Sequence, residues 1–338
     1  MFASSSTNAQ PVHDASTARE AVIDVRGLTM YFGKRQVVDQ LTMQVPRGSV
    51  FAFLGRNGSG KTTTIRMLLG LLPPTRGSST VLGCDSQHLT PEIHARVGYM
   101  SESHALYDWM TVKQSGEFAS KFYAKWNQRV FDTIVGHFGL GARAKAGHLS
   151  RGERAGLSLA LTLAPEPELL VLDDPAIGLD PVARRSLLES MVFVTRGAER
   201  TIFFSSHLLD DVERVADHVA ILDRSVLRAC ASTETLRASV RQFVLRFESP
   251  DATPREVSTV RGLLSMRRSG SQLTLVIAKP DEATLAQLRA IGASSIDDGD
   301  ASFSDAITGY LGARGDDWSF LERATAGATN ATTSGGAV

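Results

Sequence analysis

Glycines, one lysine and one hydroxyl stand at fixed spacing in Gly55-Arg56-Asn57-Gly58-Ser59-Gly60-Lys61-Thr62, which fits G-x-x-x-x-G-K-[ST]. Glycines there let successive backbone N–H groups turn inward and form an anion nest. The apolar run Val50–Leu54 precedes the segment and a helical pattern follows it, so the nest lies at a helix's positive end. Lys61 supplies a point charge for β- and γ-phosphates, the Thr62 hydroxyl a ligand for Mg²⁺, and Thr63 continues the nucleotide-contacting set. A second segment, Leu169-Leu170-Val171-Leu172-Asp173-Asp174-Pro175, is a buried strand ending in two acids. Carboxylates at the C-terminal edge of a parallel strand face the crevice where α/β sheets bind ligands. Asp173 is then placed to hold Mg²⁺ through its water shell, and Asp174 to orient and deprotonate the attacking water.

Three further segments accompany these two. Leu149-Ser150-Arg151-Gly152-Glu153 precedes an apolar helix, Ala176-Ile177-Gly178-Leu179-Asp180-Pro181 follows the acidic pair, and Ser205-Ser206-His207 follows the next strand. In this order the segments resemble the ATP-binding subunit of ABC (ATP-binding cassette) transporters, over about Val22 to Asp223. Leu106–Val112, with the C-terminal region, resembles the drug- and lantibiotic-exporter branch. The resemblance implies ATP and Mg²⁺ as ligands. It makes Ser150 and Gly152 a signature loop that meets the γ-phosphate of a nucleotide held by another subunit. It makes Asp180 part of a loop crossing between subunits, His207 a switch residue at the γ-phosphate, and Phe32 an aromatic stacked on adenine. It also implies head-to-tail pairing with a second ATP-binding subunit, a copy or a paralogue. The pair would drive a separate multi-span membrane permease from the cytoplasmic face of the cell membrane.

The chain departs from that pattern at three places. Asp174 stands where the family has Glu, which withdraws the carboxylate by roughly a C–C bond, about 1.5 Å, and a shift of that size can cost about a hundredfold in rate. Glu102 stands where a Gln contacts the Mg²⁺ site; a carboxylate accepts from metal-bound water but cannot donate. In the signature, Arg151 replaces Gly and Glu153 replaces Gln, and Arg151 is expected to need a conformation that Gly reaches without strain. The expectation is that ATP binding and closure survive while hydrolysis is slow. The alternatives are an ATP-sensing ABC protein with little turnover and a soluble ABC ATPase acting on ribosomes or DNA. A small-molecule kinase has no use for Leu149–Glu153 or His207.

These residues need a scaffold. Val22–Phe32 and Gln36–Val45 alternate around a Gly33-Lys34 turn, predicting an antiparallel β element. Apolar runs recur at Val50–Leu54, Val97–Met100, Leu169–Leu172, Thr201–Ser205 and Val219–Leu222, with helices between them such as Thr62–Leu72, stopped by Pro73-Pro74, and Val182–Thr195. Strands alternating with helices predict an α/β fold with a mostly parallel sheet, here a P-loop nucleotidase. Residues 103–164 read as a helical insertion in which Phe118, Phe122 and Trp126, four apart, are expected in the core. Later alternation at Phe243, Leu245 and Phe247 and at Leu273, Leu275 and Ile277, with helices at Glu282–Ile291 and Ser304–Leu311, predicts a small α+β appendage. The expected organisation is a disordered leader at 1–20, an ATP-binding domain at 21–230, the appendage at 231–322 and a disordered tail at 323–338.

Composition agrees with that reading. The 338 residues suffice for about two domains, and 43% hydrophobic residues can fill a sizeable core. Lys and Arg together number 36, as do Asp and Glu, so no basic excess points to nucleic acid. The longest uncharged apolar run, Ala155–Pro165, falls short of the ~18 residues of a spanning helix, so the channel is expected on another polypeptide. Cys84 and Cys230 make no disulfide framework and are expected to be buried; no His other than His207 is assigned a role.

Overall fold

In the computed structural model, which describes residues 20–196, 200–249 and 257–312, the alternating N-terminal segments form an antiparallel pair, β1 (Ala21–Phe32) and β2 (Arg35–Pro46). The expected tail lies outside the described residues, as does the expected leader apart from Glu20. The main sheet also contains β3 (Val50–Gly55), β4 (Arg76–Val81), β5 (Cys84–Asp85), β6 (Val97–Met100), β7 (Leu169–Leu172), β8 (Thr201–Ser206), β9 (His218–Asp223) and β10 (Val226–Ser232). Their order is β5-β4-β1-β2-β10-β9-β3-β8-β7-β6. The run β9-β3-β8-β7-β6 is parallel throughout. Every residue of β3, β7 and β8 is buried, the physical reason these strands are apolar rather than alternating.

The connecting helices are α1 (Lys61–Leu68), α2 (Pro91–His94), α3 (Val112–Ser120), α4 (Gln128–His137), α5 (Arg151–Leu163), α6 (Pro181–Arg196), α7 (Leu209–Val215) and α8 (Thr233–Ala238). α1 is shorter than expected. Gly70 adopts φ +70°, its N–H bonds back to Met67 O, and Leu71 N–H bonds to Arg66 O. That closure ends the helix before Pro73-Pro74 is reached. Between residues 103 and 164 the described backbone is helix and loop, apart from one isolated bridge, Thr111 to Lys145.

A second compact unit begins at Ala238, the first ending at Arg237. The division falls later than the expected boundary at residue 231 because β10 still pairs with β9. The second unit is an antiparallel sheet of β11 (Val240–Arg246), β12 (Leu263–Ser269), β13 (Gln272–Ala278) and β14 (Ser295–Asp300), ordered β12-β13-β11-β14, with helices α9 (Glu282–Ala290) and α10 (Phe303–Tyr310). Its core gathers Phe243, Leu245, Phe247, Leu273, Leu275 and Ile277, the residues whose alternation predicted two strands.

Candidate functional site

The parallel register brings the chemistry-bearing ends together. β8 lies between β3 and β7, with Leu54 beside Ser206 and Leu172 beside Phe204. The next residues along, Gly55 at the phosphate loop, Asp173 with Asp174, and Ser205 to His207, therefore emerge at one edge of the sheet. This is the carboxyl end of the strands, where such sheets bind ligands.

In the phosphate loop, Gly60 has φ +111°, and a Cβ there would lie 2.4 Å from Val37 O, so only glycine lets β2 approach the start of α1. Ser59 Oγ is buried without a hydrogen-bond partner among the described residues. Lys61, only 7% exposed, donates from Nζ to Gly55 O at 2.7 Å and approaches Asp174 Oδ2 at 4.0 Å. Burial pulls its pKa below the ordinary lysine value, and Asp174, Asp173 and Glu102 oppose that pull. Thr62 Oγ1 donates to Asp173 Oδ1 at 3.1 Å. A glycine-rich loop with positive φ at Gly58 and Gly60 leading into the start of α1, a buried cation and a hydroxyl–carboxylate pair suit a nucleotide phosphate with its Mg²⁺.

Asp173 receives a second hydrogen bond from Ser205 Oγ at 2.8 Å, and the same oxygen accepts Asp174 N–H at 2.8 Å. Asp174 stands in the left-handed region at φ +46°, which Asp tolerates better than most residues. Its carboxylate meets His207 Nδ1 at 3.0 Å through both oxygens. A carboxylate can only accept, so Nδ1 carries the hydrogen and Nε2 is left for another partner. Behind this pair, buried His104 bonds Pro175 O through Nε2 at 2.9 Å, and burial lowers its pKa. Glu102 shares a cleft of about 240 Å³ with Thr62, Arg66, Tyr99 and Asp173. Burial raises the Tyr99 pKa there, and Asp173 adds to the rise.

Ser150 is the N-cap of α5. Its Oγ accepts Glu153 N–H at 3.3 Å while Glu153 Oε2 accepts Ser150 N–H at 2.7 Å, a capping box that explains an acid at position 153. The Ser150 hydroxyl keeps its proton free to donate. Arg151 opens α5 in helical conformation, so the strain expected there is absent. A Cβ on Gly178 would lie 2.7 Å from Arg151 Nη1, which brings the signature segment against the Ala176–Pro181 loop. Gly152 in turn faces Ala183 on α6. Asp180 caps α6 by accepting Val182 N–H and Ala183 N–H, and these bonds lower its pKa. Phe32, 51% exposed at the end of β1, is free to meet a ligand.

Three expectations need correction or extension. Phe118 and Phe122 are not core residues; they are exposed, and α3 ends at Ser120, between them. With Tyr107 and Trp109 they form a surface aromatic chain, Tyr107 to Phe118 edge-on at 5.6 Å and Phe118 to Phe122 at 5.0 Å. Trp126 instead packs on buried Phe131. Neither Cys84 nor Cys230 is wholly buried. Ser205, His104, Tyr99 and Arg66 went unassigned from sequence. Ser205 lies within a quoted segment, but its neighbours follow from strand order, which the sequence does not carry.

A sequence model of the ABC transporter family matches residues 38–177. The bacitracin transport ATP-binding protein BcrA of Bacillus licheniformis is 34% identical over 232 residues, covering 68% of this chain and 76% of that protein. The daunorubicin/doxorubicin resistance ATP-binding protein DrrA of Streptomyces peucetius is 32% identical over 246 residues, covering 71% and 74%. A solved structure described as the ATP binding subunit of an ABC transporter superposes with a TM-score of 0.58 at 26% identity, over 64% of this chain and 92% of that one.

Proposed function

The chain belongs to the ABC transporter family as an ATP-binding subunit of the drug and bacitracin exporter type, and from that premise we propose how its residues drive transport. Lys61 and the N–H groups of the 55–62 loop hold the β- and γ-phosphates, and exposed Phe32 stacks on the adenine. Thr62, Asp173 and Glu102 would hold Mg²⁺, which would supply charge neutralisation on the phosphate oxygens. Asp174 orients and deprotonates the attacking water, and His207 leaves Nε2 to meet the γ-phosphate. Ser150 and Gly152 of a second ATP-binding subunit, a copy or a paralogue, complete the site. Two phosphate loops and two signature loops then bury two nucleotides in a two-fold interface. Hydrolysis removes the shared γ-phosphate contact and reopens the pair, a ligand-gated two-state element.

The observation that carries this reading is the meeting of Lys61, Asp174 and His207 at one sheet edge, with Thr62 bonded to Asp173. ATP-dependent dimerisation, followed by light scattering with Mg-ATP, tests it. The wild type dimerises, and Lys61→Ala and Ser150→Arg do not; dimerisation unaltered in both variants overturns it.

The motion passes to a separate permease, which the subunit meets at the cytoplasmic face of the membrane. No helix among the described residues is long and apolar enough to cross a membrane. The exposed aromatic chain borders a groove of about 190 Å³ lined in part by Leu106, Ala119, Tyr123 and Leu161, and this face takes the permease. Purification from detergent-solubilised membranes retains a multi-span protein with the wild type and loses it with Phe118→Ala/Phe122→Ala. Equal retention overturns this docking face.

Hydrolysis is slow because Asp174 is one methylene short of the family's Glu. Wild-type turnover equal to that of Asp174→Glu overturns this. A second reading, an ATP sensor with little turnover, is favoured by the contacts that His207 and Lys61 already make with the Asp174 carboxylate. Dimerisation without phosphate release distinguishes it.

A further inference from the structure

Ser205 is the penultimate residue of β8, the strand between those that lead to the phosphate loop and to the two acids, and none of its surface is exposed. One hydroxyl has a single proton to give, and here its direction is fixed from both sides. The Asp173 carboxylate can only accept, so Ser205 Oγ donates to Asp173 Oδ1 at 2.8 Å. The Asp174 backbone N–H can only donate, so the same oxygen accepts it at 2.8 Å. Asp174 is buried, lies just past the end of β7 and has a left-handed backbone, so its N–H has left the strand ladder. Without the hydroxyl, that donor is buried and unpaired, and the reason for its unusual φ goes with it. Among the described residues, Asp173 then keeps only the Thr62 hydroxyl as a side-chain donor to Oδ1.

We propose that Ser205 is a positioning residue for hydrolysis: one oxygen sets the backbone turn that aims the Asp174 carboxylate and orients the Asp173 carboxylate toward the metal. It touches neither nucleotide nor water itself, and the inference rests on the ATPase reading above. The shortened base sharpens the requirement. A side chain with one fewer torsion than Glu has less freedom to recover its aim, so its backbone must be held.

The test compares Ser205→Ala, Ser205→Thr and Ser205→Val with the wild type. Thr and Val have the same branched shape at this buried position, with a methyl in Val where Thr keeps the hydroxyl, while Ala adds no bulk and folds without overpacking. Each protein is assayed for ATP-dependent dimerisation, steady-state ATPase, and the Mg²⁺ concentration that tightens nucleotide binding, read by a fluorescent nucleotide. Loss of an outer partner of a metal or catalytic ligand costs about 10–100-fold. The expected result is a kcat lowered by about that factor in Ala and Val with KM for ATP unchanged, a raised Mg²⁺ requirement in the same two, and values near wild type in Thr. Ala equal to wild type, Thr as impaired as Val, or a rise in KM at constant kcat overturns the proposal. A wild type that neither dimerises with Mg-ATP nor releases phosphate removes the underlying reading together with it, an outcome distinct from any difference among the variants.

Discussion

In the proposed reading Asp174 sets the rate, and two features of it bear on that role: a side chain shorter than Glu and a backbone at φ +46°. Asp174→Glu restores the missing reach and is expected to raise phosphate release by about tenfold or more, since an ångström of misplacement costs up to about a hundredfold. Asp174→Asn keeps shape and loses the base, so it is expected to dimerise with Mg-ATP and stay paired, measured as slow dissociation after ATP removal. Both cysteines are partly exposed, and the pull of burial on the thiol distinguishes Cys230. Burial pushes the Cys230 thiol to about 12, so near pH 8 almost none is thiolate, whereas Cys84 lies near the surface on a short edge strand. A thiol reagent applied to the native protein at pH 8 is expected to label Cys84 and spare Cys230, as read by peptide mass mapping; equal labelling of both contradicts this.

Elements position those residues through strand order and caps. α5 starts where it does because Ser150 and Glu153 satisfy each other's backbone N–H, so the signature segment is also a helix start. α3 begins with a similar box at Thr111 and Gln114. Thr111→Ala is expected to cost about 1 kcal/mol, the usual value of a lost N-cap, read as a lower urea midpoint at constant slope. ATP binding should be untouched, since the cap lies outside the nucleotide cleft. The aromatic stripe teaches the limit of periodicity. Phe118 and Phe122 have helical spacing, yet α3 stops between them and both rings reach the surface. Spacing tells that side chains share a face, not whether another element covers it.

At the scale of the molecule, the described residues include one core cluster in the ten-stranded sheet and another in the four-stranded unit. Leu275 is fully buried in the second, and Leu275→Ala is expected to cost about 2–5 kcal/mol there. Calorimetry should show the transition of the C-terminal unit moving down, while Mg-ATP still raises the transition of the nucleotide-binding unit. Loss of the nucleotide effect in this variant contradicts the assignment of Leu275 to the core of the second unit alone.

The sequence alone determined the local matters. Val50–Leu54 and Leu169–Leu172 read as doubly buried strands, because uninterrupted apolar runs of that length between helical segments have no solvated face, and both are strands. The 55–62 loop reads as an anion cradle, because glycines, a lysine and a hydroxyl at that spacing suit little else. Tertiary structure decided what depends on neighbours distant in the chain. Only the placing of β8 between β3 and β7 brings Ser205 to both acids and His207 to Asp174, since hydrogen-bonded strand order is not written in any local run of residues. Only the exit of the chain from α3 leaves Phe118 and Phe122 on the surface, since burial is a property of what packs against a face rather than of the face itself.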